Sequence, residues 1–311
     1  EYGVYTLILS LQSVALIATS FGLVNVIERY TPEFYQQKRI AMLRKIVIGA
    51  FLFRFILGVI FLLFIFENQS IQNLPLFDVF AVYKIQISIM ILAILQIQLL
   101  GDGFLVSLFE QNFYNSAILV YSVFVFIGVY GVTSLHLGIG HVLYVFGVCN
   151  FCLALCFLWR SLFILYKRET TTKVDKYSFP KKRIIKYALY SFFAAIGYSL
   201  VDVWIDNFVI NYYLGKEAVG YYAFANFLGT FLSYSSLAIF LLPLLTSISI
   251  MKFTETKSTE TLLFIYSFYT KIITFFGFPC LLIFLLLDTH IIMLLFGEKY
   301  LSAKIIVDIV I

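Results

Sequence analysis

The feature that most constrains this chain is a series of uninterrupted apolar runs, each about as long as a membrane is thick. They fall at residues 4–27, 46–66, 79–100, 115–135, 138–159, 184–210, 221–247 and 261–287, and a ninth begins near 302. An α-helix needs about 20 apolar residues to cross a hydrocarbon core of about 30 Å. The runs are apolar on all sides instead of alternating, which favours helices over barrel strands. The predicted fold is therefore an all-α, polytopic membrane protein with eight complete spans and part of a ninth.

The composition excludes an ordinary water-soluble domain. The chain has 311 residues, of which 62% are hydrophobic and only 13% are charged, whereas soluble domains carry about 25% charged residues. Soluble enzymes, secreted disulfide scaffolds and disordered proteins are excluded on this ground. Since the chain starts without Met and stops inside an apolar run, we expect it to be a fragment of a longer protein.

The basic residues predict the orientation of the helices. If residue 1 lies outside, 16 of the 22 Lys and Arg residues fall in segments on the inner side and four fall outside. Cytoplasmic loops of membrane proteins carry such an excess of positive charge. The two remaining basic residues, Arg54 and Lys271, lie within apolar runs.

A repeat with a period of six helices is predicted from a constant offset. Residues 1–5, which open the first run, match residues 218–222, which open the seventh, and the same offset pairs Arg54 with Lys271. Six is an even number, so the matching spans point the same way and the repeats are parallel. We expect an N-terminal helical lobe over residues 1–166 that lacks its first helix, a basic cytoplasmic linker over 167–183, and an incomplete C-terminal lobe over 184–311.

Arg54 and Lys271 are the candidate substrate-cavity residues. Each lies near the middle of its span, where a charge is costly and usually faces a bundle interior or a wet cavity. Small residues flank Arg54 at helical spacing, and Ser267 and Thr274 flank Lys271. This pattern is typical of a cationic cavity for an anionic substrate, although snorkelling or a buried ion pair would also explain it.

Asp202 and Asp206 are candidates for ion coupling. They end a stripe of small and polar residues that begins at Ser191 in the sixth run. Two carboxylates four residues apart on a helix repel when both are ionised, which favours a bound proton or Na⁺. Alternatively, Asp206 lies at the outer interface and Asp202 pairs with a base such as Lys271.

The chain carries no motif for a cofactor or for catalysis. It lacks a nucleotide-binding loop, a dinucleotide fingerprint and a His-Glu-x-x-His metal motif. We therefore expect no cofactor, no metal, no nucleic-acid partner and no enzymatic activity.

Six short motifs, in order along the chain, resemble those of the polysaccharide-export flippases of the multidrug/oligosaccharidyl-lipid/polysaccharide superfamily. They are EYGVY at 1–5, FGL at 21–23, ERYTPEFY at 28–35, ID at 205–206, LGKEAVGYY at 214–222 and LFGEKY at 295–300. The resemblance implies two six-helix lobes, with the eight runs corresponding to helices two to nine. The chain departs from the family at position 207. Related members often have a basic residue after the Asp, whereas this chain has Asn207, and this weakens any role for Asp206.

The resemblance also implies a function. Such a protein turns a polyprenyl-diphosphate-linked oligosaccharide repeat unit from the inner to the outer leaflet of a bacterial inner membrane, by alternating access through a cationic central cavity. The implied partners are this lipid-linked substrate, membrane lipids, H⁺ or Na⁺, and a polysaccharide polymerase with other assembly proteins. Arg54 and Lys271 match the family's basic cavity residues by depth and helix.

Two alternatives stay open. A multidrug cation antiporter of the same superfamily would favour acidic cavity residues over basic ones. An integral membrane glycosyltransferase or polysaccharide polymerase would need reactive side chains beside the membrane, typically on a long outer loop, and the predicted outer loops are short.

Overall fold

The computed structural model of the chain describes residues 2–68, 77–167, 181–199 and 203–235, together with scattered positions between 263 and 307. These described residues are helical with short connections, and no strand occurs among them. An all-helical structure is the expected solution for apolar segments, because a helix satisfies its backbone hydrogen bonds internally.

The described helices are numbered here in chain order. They are α1 (Tyr2–Ala18), α2 (Leu23–Gln36), α3 (Ile40–Glu67), α4 (Phe77–Val82), α5 (Lys84–Ile97), α6 (Gln111–Ser134), α7 (Ile139–Lys167), α8 (Lys181–Ser199), α9 (Val203–Leu214) and α10 (Lys216–Ser235). Helix α5 continues directly into a π-helical segment, Gln98–Leu105, and a short 3₁₀ helix spans Glu298–Ala303.

Within the described residues, four helices are long and apolar enough to cross a membrane. They are α3, α5 with its π-helical segment, α6 and α7, and they coincide with the second to fifth predicted runs. Helices α1 and α2 together make a fifth candidate that is bent by 56° between Ala18 and Leu23. The prediction of an all-helical protein with several membrane-length helices is confirmed for the described residues.

The full count of eight spans and the six-helix repeat stay predictions. The sixth run contains α8 and α9, and residues 200–202 between them lie outside the described residues, as does much of the seventh and eighth runs. Most of the predicted linker, residues 168–180, lies outside them as well. The lobe boundaries therefore stay predictions.

The bend between α1 and α2 is built around a glycine. Phe21 and Gly22 both have positive φ, at 40° and 66°. A Cβ on Gly22 would lie 2.2 Å from the carbonyl oxygen of Ala188 in α8. Only glycine adopts this backbone conformation without strain and allows so close an approach.

The chain divides into two compact units, Gly3–Tyr213 and Leu214–Ile311, and Tyr2 belongs to the second. In the first unit, α5 packs against α3 and α7, and α2 packs against the π-helical segment. Its core combines apolar residues of α2, α3, α5, the π-helical segment and α7. Helix α2 contributes Val26, Ile27, Tyr30 and Phe34, whose spacing places them on one buried face.

The second unit has a smaller described core around α10. The ring of Phe224 lies 4.9 Å from that of Phe296 and 4.6 Å from that of Tyr300. Gly297, with a φ of 86°, precedes the 3₁₀ helix that carries Tyr300. Phe296, Gly297 and Tyr300 belong to the last of the six motifs, LFGEKY at 295–300.

Candidate functional site: a polar cavity at a broken helix

Arg54 is the most deeply buried ionisable side chain among those described, with 0% exposure. It lies in the middle of α3 between Ala50 and Gly58, and the structure buries all three residues on the same face. Its Nη2 donates a 2.5 Å hydrogen bond to Oε1 of Gln98. Its Nε and Nη1 are buried and have no hydrogen-bond partner within the described part of the chain. Arg54 is therefore an intramembrane cation with spare donors.

The partner of Arg54 belongs to the π-helical segment Gln98–Leu105. A π-helix is wider than an α-helix, and single turns of it occur frequently at functional sites. The segment also carries Asp102, whose Oδ1 accepts a 2.5 Å hydrogen bond from the hydroxyl of Tyr114 in α6. Side-chain hydrogen bonds therefore join the segment to α3 and to α6.

A cavity of about 270 Å³ lies between the α1–α2 bend and the π-helical segment. Its polar lining comes from Ser20, Asn25, Glu28, Gln98 and Asp102. Its apolar and small lining comes from Leu16, Ile17, Gly22, Val24 and Ala195. The bend opens the bundle at this point, because the last turn of α1 and the first turn of α2 do not continue one another.

The electrostatics of the cavity are mixed. Two carboxylates, Glu28 and Asp102, line it and interact with each other, and Asp102 also interacts with the positive charge of Arg54. Arg54 itself is not a lining residue, because Gln98 stands between it and the cavity. The wall therefore presents oxygen acceptors, with a cation held directly behind it.

The predicted counterpart of Arg54 has a different environment. Lys271, Ser267 and Thr274 lie in helical positions of the second unit, and their side chains are exposed. The hydroxyl of Thr274 donates to the carbonyl oxygen of Thr270 in its own helix. Arg54 and Lys271 belong to different units, and their joint role in a cavity stays a prediction.

The two candidate ion-coupling residues are only partly described. Asp202 lies outside the described residues, and Asp206 is exposed in the first turn of α9. The neighbouring Asn207 is buried, and its Nδ2 donates a 2.9 Å hydrogen bond to the hydroxyl of Ser10 in α1. At the position where the resemblance leads one to expect a base, this chain thus has an amide that joins two helices.

No group of three or more His, Cys, Asp or Glu side chains with the geometry of a metal site occurs among the residues that the structure describes. The cavity carboxylates are two, and their polar neighbours are amides and a hydroxyl. This set suits hydrogen bonding and charge compensation more than the tight coordination of a transition metal.

Sequence reasoning missed Glu28, Gln98, Asp102 and Tyr114. Asp102 lies just past the end of the third apolar run, and Gln98 lies within that run. A signal for Gln98 and Asp102 is present in the sequence, because Gly101, Asp102 and Gly103 follow two glutamines in a segment that is otherwise apolar. Polar residues inside a span favour its buried face.

Comparison of the chain with protein-family models, with curated proteins and with solved structures gave no match.

Proposed function

We propose that the protein is a membrane transporter and that the cavity between the α1–α2 bend and the π-helical segment is part of its translocation route. The observation that carries this proposal is a polar cavity at a break in a membrane-length helix pair, with a fully buried arginine behind its wall. Transporters commonly form their sites where helices are discontinuous. Intramembrane ionisable residues usually serve such a function, because burying them is costly.

The cargo that we propose is a polyprenyl-diphosphate-linked oligosaccharide, flipped from the inner to the outer leaflet of a bacterial inner membrane. The support comes from the sequence resemblance and from Arg54. Its Nε and Nη1, which have no hydrogen-bond partner among the described residues, are donors of the kind that bind phosphate oxygens. Exchange of Gln98 for a diphosphate as the partner of Arg54 would stabilise the cargo inside the bundle while its polyprenyl tail stays in lipid.

The acidic lining favours a second candidate, a cation antiporter of the same superfamily. Glu28 and Asp102 both reach the cavity, whereas Arg54 does not. A cationic drug, H⁺ or Na⁺ would compensate their charge. The two candidates differ in whether Arg54 or the carboxylates contact the cargo.

Deletion of the gene tests the proposed cargo directly. We expect lipid-linked repeat units to accumulate on the inner leaflet and surface polysaccharide to disappear, and the wild-type gene to restore both. Arg54→Glu should fail to restore surface polysaccharide while still inserting in the membrane. Lys45→Gln is the matched control, because Lys45 is an exposed base near the start of the same helix.

The same strains distinguish the flippase from the cation antiporter, and an assay of the purified protein distinguishes both from a polymerase. Normal polysaccharide in the Arg54→Glu and Lys271→Glu strains would contradict the flippase proposal. Loss of resistance to cationic drugs in the deletion strain, restored by wild type and not by Asp102→Asn, would favour the antiporter. Chain extension of a glycan by the purified protein would instead identify a polymerase.

A further inference from the structure

A cluster of basic side chains lies where α8 begins beside α2. Helix α8 opens with three consecutive bases and adds a fourth in its next turn, and α2 contributes one more. We call these residues the basic corner: Arg29, Lys181, Lys182, Arg183 and Lys186. All five side chains are exposed.

Aromatic rings fix the position of the two arginines. The guanidinium of Arg29 lies 4.7 Å from the ring centre of Tyr187 in α8, and that of Arg183 lies 5.3 Å from the ring centre of Tyr30 in α2. Each arginine therefore rests on a tyrosine of the opposite helix. Stacking of this kind leaves the edges of a guanidinium available for anions.

Within the described part of the chain, one acidic side chain forms an ion pair with the corner. Arg183 lies 3.3 Å from Glu33 of α2. Lys181, Lys182 and Lys186 make no ion pair with any residue that the structure describes. The first turn of α8 contains no acidic residue, and the N-terminal end of a helix itself carries a partial positive charge. The corner is therefore complementary to anions.

The same helix exposes apolar side chains directly beyond its basic end. Tyr190 is 65% exposed and Phe193 is 67% exposed. At 1.5 Å per residue, Phe193 lies about 18 Å along the axis from Lys181. Bases at one end and exposed apolar side chains further along match the change from headgroups to acyl chains in a leaflet.

We propose that the basic corner binds the phosphate headgroups of anionic phospholipids in the leaflet that faces the basic loops. The lysines and Arg29 supply the charge, the two tyrosines hold the arginines at headgroup level, and the apolar face of α8 contacts the acyl chains. This site does not depend on the identity of the cargo. It would anchor the α1–α2 bend as well, because α8 packs against α2 and reaches Gly22 at Ala188.

The test uses the full-length protein in nanodiscs made from equal amounts of phosphatidylglycerol and phosphatidylcholine. The lipids that stay bound after transfer to detergent are measured by native mass spectrometry. We expect phosphatidylglycerol to be enriched over phosphatidylcholine on the wild-type protein. A base in a polybasic cluster at an anionic surface contributes about fivefold to binding, so Lys181→Gln/Lys182→Gln/Lys186→Gln should reduce this enrichment by at least fivefold.

A second triple variant separates a site from general attraction. Lys38→Gln/Lys45→Gln/Lys167→Gln removes the same charge from exposed lysines on the same predicted side of the membrane. Its enrichment should stay within twofold of wild type. An equal loss in both triple variants, or no loss in the first, would overturn the proposal.

Two further variants test whether a loss of lipid binding is caused by altered membrane insertion. Arg29→Gln removes one charge and leaves the lysines that set orientation in place, and it should still lower the enrichment measurably. Lys181→Arg/Lys182→Arg/Lys186→Arg keeps the charge and should restore the wild-type value. Failure of the arginine variant to bind phosphatidylglycerol would show that charge complementarity is not the cause and would also contradict the proposal.

Discussion

Helices α5 and α6 have similar hydropathy and opposite places in the bundle. In the span formed by α5 and its π-helical segment, the most apolar stretch of 18 residues has a mean hydropathy of 1.8, and 67% of that stretch is buried. The corresponding stretch of α6 has a mean hydropathy of 2.0, and only 6% of it is buried. The slightly less apolar stretch is the inner one.

The position of polar groups explains the difference. Along α5 and its continuation, Gln96 is buried, Gln98 binds Arg54 and Asp102 binds Tyr114. Lipid cannot form hydrogen bonds with such groups, so the helix that carries them turns inward. Hydropathy thus identifies which segments can cross a membrane, while polar side chains determine which of them lie inside.

The largest expected difference in stability is between two Leu→Ala variants, one on each helix. Leu95 of α5 is 0% exposed and Leu119 of α6 is 65% exposed. Leu95→Ala should lower the stability of the detergent-solubilised protein by about 2–5 kcal/mol, because it leaves a cavity in a close-packed interior. Leu119→Ala should have little effect. Thermal unfolding followed by size-exclusion fluorescence measures both, and equal shifts would contradict the assignment of α5 as the inner helix.

The next largest difference in stability is expected between Gly→Leu variants at one glycine of each span. A Cβ on Gly101 in the π-helical segment would lie 2.6 Å from the ring of Phe157, whereas a Cβ on Gly131 in α6 would have no neighbour within 4 Å. Gly101→Leu should destabilise the protein by about 1–3 kcal/mol through overpacking. Gly131→Leu should leave the melting temperature nearly unchanged. Tolerance of leucine at position 101 would mean that the π-helical segment is not packed as described.

The smallest effect concerns the hydrogen bond between the two helices. Tyr114→Phe removes the donor to Asp102 and should cost about 1 kcal/mol, a typical value for polar contacts within membranes. Tyr130→Phe is the control on the same helix, since Tyr130 is 67% exposed. The two variants should be compared by the same unfolding measurement. A larger loss with Tyr130→Phe would indicate that α6 contacts the bundle through its other end.

Part of the candidate site was predictable from residue spacing. Ala50, Arg54 and Gly58 follow one helical face, and the structure buries that face. The lining of the cavity was not predictable in the same way. Glu28 lies directly after the end of the first apolar run, and Asp102 lies just after the end of the third. Their proximity depends on the bend at Gly22 and on the wider π-helical turn, neither of which has a sequence period.

Arg54 and Lys271 show a second limit of prediction from the sequence. The constant offset pairs Arg54 with Lys271, yet the structure gives Arg54 a fully buried environment and Lys271 an exposed one. A repeat in sequence predicts equivalent positions along two helices. It does not predict which neighbours pack against them, because packing depends on side chains from other helices.

The sequence by itself determined that this chain is helical and suited to a membrane, because long apolar runs leave the backbone no other way to satisfy its hydrogen bonds in lipid. It also marked Arg54 as an exceptional charge, because so few charges interrupt those runs. Only the tertiary structure decided that Gln98 holds Arg54, that Glu28 and Asp102 line a cavity, and that Tyr114 anchors its wall. These contacts join residues that are distant in the chain, and they arise where a bend and a π-helical turn interrupt regular helix geometry.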